Sequence, residues 1–419
     1  MGTSSTNFFQ AYDWDTMMKL NPVPQDPAAF YDIKKYHAIL SPDYPKFLDR
    51  YLELPSLKRL AGVGLLCGTD WTKLYKNRFY YSRLDPSVGV ALIIWHFTRD
   101  KAQTLAGLFH DISTPVFSHV SDFRKGDALT QTATEQDTKS LLHNDSELAE
   151  LLAKDGLTAA DIDDYHRYPV ADNEIPQLSA DRLEYMFPSG MALDGSWDLA
   201  SIKTAYDDIT VLKNEDGIDE LGFKTLEIAE DYCRRFRMIG HILQLNENKL
   251  TLHMLGQIMN KAVELGVLND SDFMTKSERE IMDTLDNMAQ ALRHRERSYE
   301  AGQKQSGGLF LASLRAAMLR RAQGPQDGQE ELEKLIQLYK TFRTMTKIEH
   351  TATQLDPAEY FCVSLKVKQR YINPLVQTAE KPTAAKRLSE LSPQAARIIN
   401  DFLAYSDTKY GCVRMSLRK

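Results

Sequence analysis

Apolar positions recur at the three-to-four-residue spacing of helices along most of this chain, in runs broken by Gly, Pro and Asp. Two runs, SVGVALIIWHF from Ser87 to Phe97 and TLAGLFHDI from Thr104 to Ile112, are apolar nearly all round, which predicts buried helices. The pattern changes at Ile209–Thr225, ITVLKNEDGIDELGFKT, where alternation about Asp216-Gly217 predicts a β-hairpin. Long helical periodicity then resumes over residues 225–296. Near the C-terminus, YFCVSLKVKQRYINPLV from Tyr360 to Val376 carries a β-branched run ended by Pro374 and reads as a strand. SPQAARIINDFLAY reads as a helix capped by Ser392, with Pro393 in its first turn.

The predicted fold class is mainly α, with the hairpin inserted and a small α+β unit at the end. Residues 1–50 contain Pro22, Pro24, Pro27, Pro42 and Pro45 and read as an irregular extension. A helical core follows over 51–206, then hairpin plus helical extension over 207–321. The polar stretch AQGPQDGQEE (Ala322–Glu331) is the linker candidate, leading to the terminal unit at 330–419. No internal repeat or low-complexity tract interrupts this order. The 419 residues suit two or three such units, at roughly 150 residues each.

A net charge of −7 argues against a dedicated nucleic-acid binder. The longest apolar stretch, Val88–Phe97, is shorter than the roughly 20 residues a bilayer span needs, and no signal peptide is visible. MGTSST matches the loose N-myristoylation pattern, which occurs often by chance. Cys67, Cys233, Cys362 and Cys412 are scattered and form no CxxC pair. They predict a reduced, cytoplasmic chain with neither a disulfide framework nor a thiolate zinc site.

The candidate chemistry lies in LFHDISTPVFSH (Leu108–His119). An imidazole and a carboxylate, His110 and Asp111, end an apolar helix. Burying them costs several kcal/mol unless something pairs with them, and a metal ion is one such partner. His119 and Asp122 form an i, i+3 pair. Asp181 lies in another amphipathic segment, followed by Glu184 and Tyr185.

HDISTPVFSHVSD (His110–Asp122) and DRLEY (Asp181–Tyr185) resemble the motifs HDxGHGPFSHxxD and DxxDY of the HD-domain metal-dependent phosphohydrolases. The closest branch is that of the deoxynucleoside triphosphate triphosphohydrolases. AEDYCRRFRMIGHILQLNENK and FMTKSEREIMDTL resemble that branch's helical continuation, so the likeness covers about residues 57–290. It implies an HD-type helical core with His110, Asp111 and Asp181 as metal ligands and His119 with Asp122 as the acid–base pair. A divalent ion is implied, Mg or Mn first, with Fe, Co, Ni or Zn admissible. The substrate implied is a phosphorylated small molecule, nucleotide by preference, bound by Arg83, Arg237 and Tyr185. A homo-oligomer is also implied, because that branch forms multimers.

Three family histidines are absent. Arg83, Ser87 and Val90 match RxxHSxxV, but Pro86 holds the ligand position. Thr114 replaces the histidine of HGP, and Thr134 replaces the one preceding Glu135. Asp85 then has two readings: a substitute ligand, whose extra negative charge would favour Mg or Mn, or a helix cap with Pro86 in the first turn. Bland readings stand beside the others. His119 and His96 could be satisfied core histidines, although His96 could also be a substitute ligand. Asp122 and Asp181 could be caps, and His143 and His166 lie in polar stretches. Arg234–Arg237, Arg293–Arg297 and Lys366–Arg370 could grip phosphates, but by default are solvated faces. The sequence thus predicts a metal-dependent phosphohydrolase. Its rival is a degenerate HD fold that binds a nucleotide or a partner protein; di-iron oxygenase chemistry would need more His ligands than the chain supplies.

Overall fold

The computed structural model describes residues 32–126, 137–300, 325–378 and 384–416, with backbone only at 292–300 and 325–327. The MGTSST pattern, Thr134 and Glu135 lie outside these residues, as do the side chains of Arg293–Arg297. The described chain is mainly helical, with two small sheets. Among the described residues no helix is long and apolar enough to cross a membrane.

Part of the expected irregular extension is ordered. Helix α1 (Ile33–Leu40) is capped by Asp32, whose carboxylate accepts from the Lys34 and Lys35 amides at 3.1 and 3.2 Å. Its Tyr36 and Leu40 are fully buried. The prolines misled because Pro42 and Pro45 fall in the loop after this helix, where they break nothing.

The two all-apolar runs form α2 (Leu84–Thr98) and α3 (Lys101–Phe109), packed along each other. Pro86–Ile94 and Thr104–Phe109 are buried without interruption, as predicted. Beyond them come α4 (Val120–Arg124), α5 (Thr138–Asn144), α6 (Ser146–Lys154), α7 (Ala180–Leu193) and α8 (Leu199–Asp207). Helix α7 lies against α2.

The hairpin forms as β1 (Ile209–Lys213) and β2 (Asp219–Phe223), with Val211 opposite Leu221. Helices α9 (Leu226–Gln244), α10 (Asn246–Glu264), α11 (Glu278–Glu300) and α12 (Pro325–Thr344) follow. The linker expectation fails from residue 325 onward: Pro325 opens a helix, a position where its missing N–H costs nothing, and good helix formers carry it on.

Strands β3 (Glu349–Thr351), β4 (Tyr360–Val363), β5 (Leu375–Gln377), β6 (Ala385–Arg387) and β7 (Tyr410–Arg414), with α13 (Pro393–Ala404), complete the chain. Strand β2 pairs in parallel with β5, giving the order β1-β2-β5-β6; the second sheet is β3-β7-β4. Ser392 caps α13 by accepting from the Ala395 amide at 3.0 Å, as expected.

Two expectations are corrected here. The strand predicted across Tyr360–Val376 stops at Val363 and resumes only after Pro374, because the carbonyls between them turn to α9 instead of a neighbouring strand. The scattered cysteines do include a pair: register sets Cys362 opposite Cys412 on β4 and β7, where they form a disulfide.

Candidate functional site

His110 immediately follows α3, and its Nδ1 lies 2.7 Å from the Gly107 carbonyl. A carbonyl only accepts, so Nδ1 donates, and Nε2 is left with a lone pair in the neutral ring. That nitrogen lies 3.5 Å from Asp111 Oδ2 and 3.6 Å from Asp181 Oδ1. Ser179 caps α7 and sets Asp181 in its first turn. One lone pair facing two carboxylates is unfavourable unless a proton or a cation lies among them. Burial opposes the imidazolium, but Asp111 and Asp181 outweigh it and raise the pKa of His110. Burial also raises Asp181, with Asp172 and Asp111 adding to the shift.

The donor set suits a divalent ion. Two donors held at about 2.1 Å from one ion sit about 3.0–3.4 Å apart, near the His110–Asp111 and His110–Asp181 separations, and the Nδ1–carbonyl bond fixes the ligating tautomer. The three donor atoms do not all lie within 4.8 Å of one another, so the two carboxylates would have to draw together around an ion. One feature works against it: both Asp111 oxygens already accept hydrogen bonds, Oδ2 from Arg83 Nη1 at 2.9 Å and Oδ1 from Thr114 Oγ1 at 2.8 Å. Burial notwithstanding, Arg83, His110 and Thr114 hold the Asp111 carboxyl well below the usual range. Thr114 thus supports Asp111 from the position where the family motif has a histidine.

The other predicted ligand goes elsewhere. Pro86 is buried in the first turn of α2, and Asp85 Oδ2 turns back to Ser82, accepting from its amide at 3.3 Å and its hydroxyl at 2.9 Å. Asp85 therefore tethers the start of α2 from inside the first turn. His96 meets Phe97 edge-on and Tyr206 at a tilt, ring centroids 4.7 and 5.6 Å away, eleven residues and roughly 16 Å along the helix from Asp85.

His119 precedes α4, and its Nδ1 donates to Asp122 Oδ2 at 2.9 Å; Asp122 is fully buried. Its Nε2 consequently points a lone pair outward, 3.5 Å from Arg370 Nη2. Burial lowers the His119 pKa, and Arg370 and Arg83 push it the same way against Asp122. The turn leading to His119 is strained, with φ of +62° at Phe117 and +47° at Ser118. Glu278 holds it: its Oε1 accepts from the Phe117 amide at 3.2 Å and the Gly64 amide at 2.8 Å, while Oε2 accepts from Trp71 Nε1 at 3.0 Å. Ser118 Oγ accepts from Arg83 Nε at 3.1 Å, linking this turn to the Asp111 side.

Tyr185 is half-buried on α7, and both Arg370 and Arg83 act on it electrostatically; its pKa is raised because burial wins. Arg237 sits on α9 beside Cys233 and His241. Glu184 is fully buried, and its Oε1 accepts from the hydroxyls of Tyr81 and Tyr36 at 2.6 and 3.2 Å. Burial pushes its pKa up to about 8.

The structure therefore brings His110, Asp111 and Asp181 together, with Arg83, His119, Asp122 and Tyr185 around them. Sequence reasoning missed Glu278 and Asp172, and took the run that contains Arg370 for a solvated face by default. Asp172 accepts from His166 at 2.9 Å and Arg182 at 3.0 Å beside Asp181. The only advance signal was the basic run that contains Arg370.

Elsewhere, Glu247, His350 and Asp407 bring donor atoms within 4.8 Å of one another. There each ring nitrogen faces a different carboxylate, Nε2 with Glu247 at 2.9 Å and Nδ1 with Asp407 at 3.1 Å. A single ion can use only one ring nitrogen, so this geometry describes a protonated clamp between α10 and the terminal sheet. The two carboxylates raise the His350 pKa to about 10.

No family model matches the chain. It is 23% identical over 271 residues to the metal-dependent phosphohydrolase cns2 of Cordyceps militaris, spanning 62% of this chain and 75% of that protein. It is 28% identical over 139 residues to the uncharacterized protein YdhJ of Bacillus subtilis, spanning 33% of this chain but only 41% of that protein. The crystal structure of a hypothetical protein from Aquifex aeolicus shares the fold, with a TM-score of 0.51 at 14% identity over 89% of this chain and 93% of that one.

Proposed function

We propose that this chain is a metal-dependent phosphohydrolase of HD type, acting on a phosphorylated small molecule. The nucleotide preference and a homo-oligomeric state complete that reading on the motif resemblance; the cytoplasmic location expected from unpaired cysteines loses that support with the Cys362–Cys412 disulfide. The observation that carries it is His110: its fixed tautomer turns a lone pair toward Asp111 and Asp181. The similarity to cns2 supports the same activity.

In this reading His110, Asp111 and Asp181 hold one divalent ion, Mg or Mn by preference. Bound there, it supplies Lewis acidity that offsets charge on the transferring phosphoryl group. Arg83 grips a phosphate oxygen while steadying Asp111. His119, neutral and oriented by the buried Asp122, takes up or hands on a proton at Nε2. Tyr185 donates a hydrogen bond from its hydroxyl to the substrate and keeps its proton. Asp85 keeps its place at the start of α2.

A second reading has one specific observation in its favour. Arg83 and Thr114 already satisfy Asp111, and Pro86 offers no ligand, which suits a degenerate fold that binds a phosphorylated ligand without cleaving it. Metal analysis of purified protein separates the two. The parent is expected to retain about one equivalent of metal and Asp111→Ala to lose it, with phosphate release from a nucleotide panel in Mg or Mn lost in parallel. Equal, negligible metal in both would leave the second reading.

A further inference from the structure

We infer that Arg370, supplied by the C-terminal unit, forms with Arg83 and His119 a subsite for a phosphate group; the inference rests on the phosphohydrolase reading for the identity of that site. Arg370 Nη2 lies 3.5 Å from His119 Nε2, the nitrogen left unprotonated by the bond to Asp122. Arg83 approaches from the opposite sequence end, anchored on Ser118 Oγ and Asp111. Both guanidinium groups act on the same imidazole and on Tyr185. Arg83 keeps its ion pair with Asp111 at 2.9 Å, and a phosphate oxygen between the two guanidinium groups would accept charge-assisted hydrogen bonds from both. The planar fork of arginine matches the oxygens of a phosphate, so a phosphate or pyrophosphate group is the ligand that fits.

The placement of Arg370 is built into the backbone. The Lys368 carbonyl accepts from Gln244 Nε2 at 3.0 Å, and the Ile372 carbonyl meets Cys233 Sγ at 3.9 Å. Between them the Arg370 carbonyl lies so close to Gly240 that a Cβ there would be 2.9 Å from it. The Asn373 amide donates to the Pro176 carbonyl at 2.8 Å, tying the segment to the loop before α7. These tethers replace the strand pairing that the β-branched run of this stretch predicts, and they fix where the arginine emerges. Lys366 and Lys368 of the same basic run are exposed, and they serve as controls.

Isothermal titration of the full-length protein with inorganic pyrophosphate, with and without Mn, tests the subsite. Arg370→Gln is expected to weaken binding roughly ten-fold or more, Arg370→Lys to recover part of it, and Lys366→Gln to match the parent. Unchanged binding in Arg370→Gln, or no pyrophosphate binding by the parent, overturns the inference. If the glutamine variant fails to fold, phenylglyoxal labelling of the parent decides, read by peptide mass spectrometry. Protection of Arg370 by pyrophosphate supports the subsite, and equal labelling with and without it overturns it. The outcomes separate from those of the metal test. A chain that holds no metal yet loses pyrophosphate affinity on Arg370→Gln keeps the subsite and loses the hydrolase.

Discussion

Glu184 offers the sharpest energetic test, because its carboxyl is fully buried with two tyrosine hydroxyls as partners and its Oε2 atom has none. Burial displaces its pKa from 4.5 to about 8, so the folded chain keeps a proton that the unfolded chain releases. A folded state that binds more protons loses stability as pH rises. At about 1.4 kcal/mol per unit, the displacement puts a ceiling of roughly 5 kcal/mol on the stability lost between pH 4.5 and pH 8. Glu184→Gln keeps the acceptor for Tyr36 and Tyr81 and cannot ionise. Its buried amide hydrogens cost about 1–3 kcal/mol for want of partners, so the variant is expected to be the less stable protein at pH 5. By pH 8 the order should reverse, the difference moving by about 1.4 kcal/mol per pH unit in between. Urea unfolding followed by circular dichroism at unit pH steps from 5 to 9 measures it, and the difference between the two proteins cancels the titrating groups that do not interact with Glu184. Two parallel curves would mean that Glu184 ionises in the folded chain as easily as in the unfolded one, which would refute the reasoning.

Two further outcomes follow from the same arguments. The His350 clamp should stabilise fully below about pH 6.5 and fade as pH rises through about 10; because the ring is one-third exposed, His350→Gln is expected to cost only about 1–2 kcal/mol at pH 7, with no difference left at pH 11 by urea midpoint. Glu278→Ala orphans the amides of Gly64 and Phe117, costing about 1–3 kcal/mol each, and should also weaken pyrophosphate binding by loosening the turn before His119; full-strength binding in a destabilised variant would show that the turn holds without it.

Much of the site was legible because its residues come from strong local patterns. The all-apolar α2 and α3 placed the His110–Asp111 turn, and the three-residue spacing of His119 and Asp122 gave their 2.9 Å pairing. Arg370 and Glu278 were illegible for the converse reason: they meet His119 and Phe117 across 251 and 161 residues, and no local periodicity encodes such contacts. The cysteine pair is similar, since two residues separated by 50 in sequence become partners only through strand register. Asp85 was legible as a choice between ligand and helix start, and the Ser82 hydroxyl that claims its carboxylate stood three residues upstream. The basic run at Lys366–Arg370 shows how little charge alone reveals: the same stretch points two lysines to solvent and aims one arginine inward.

The tethering of residues 368–372 to α9 has a bearing on how the protein is made. The tethers join segments 124 and 139 residues apart, so a ribosome finishes the helix long before it delivers the segment that docks there. A chain stalled or clipped short of residue 364 would still carry the His110 acids but would lack the second guanidinium. Until the late segment arrives, the Gly240 face of α9 and the open edge of β2 stand without the partners they have in the finished protein.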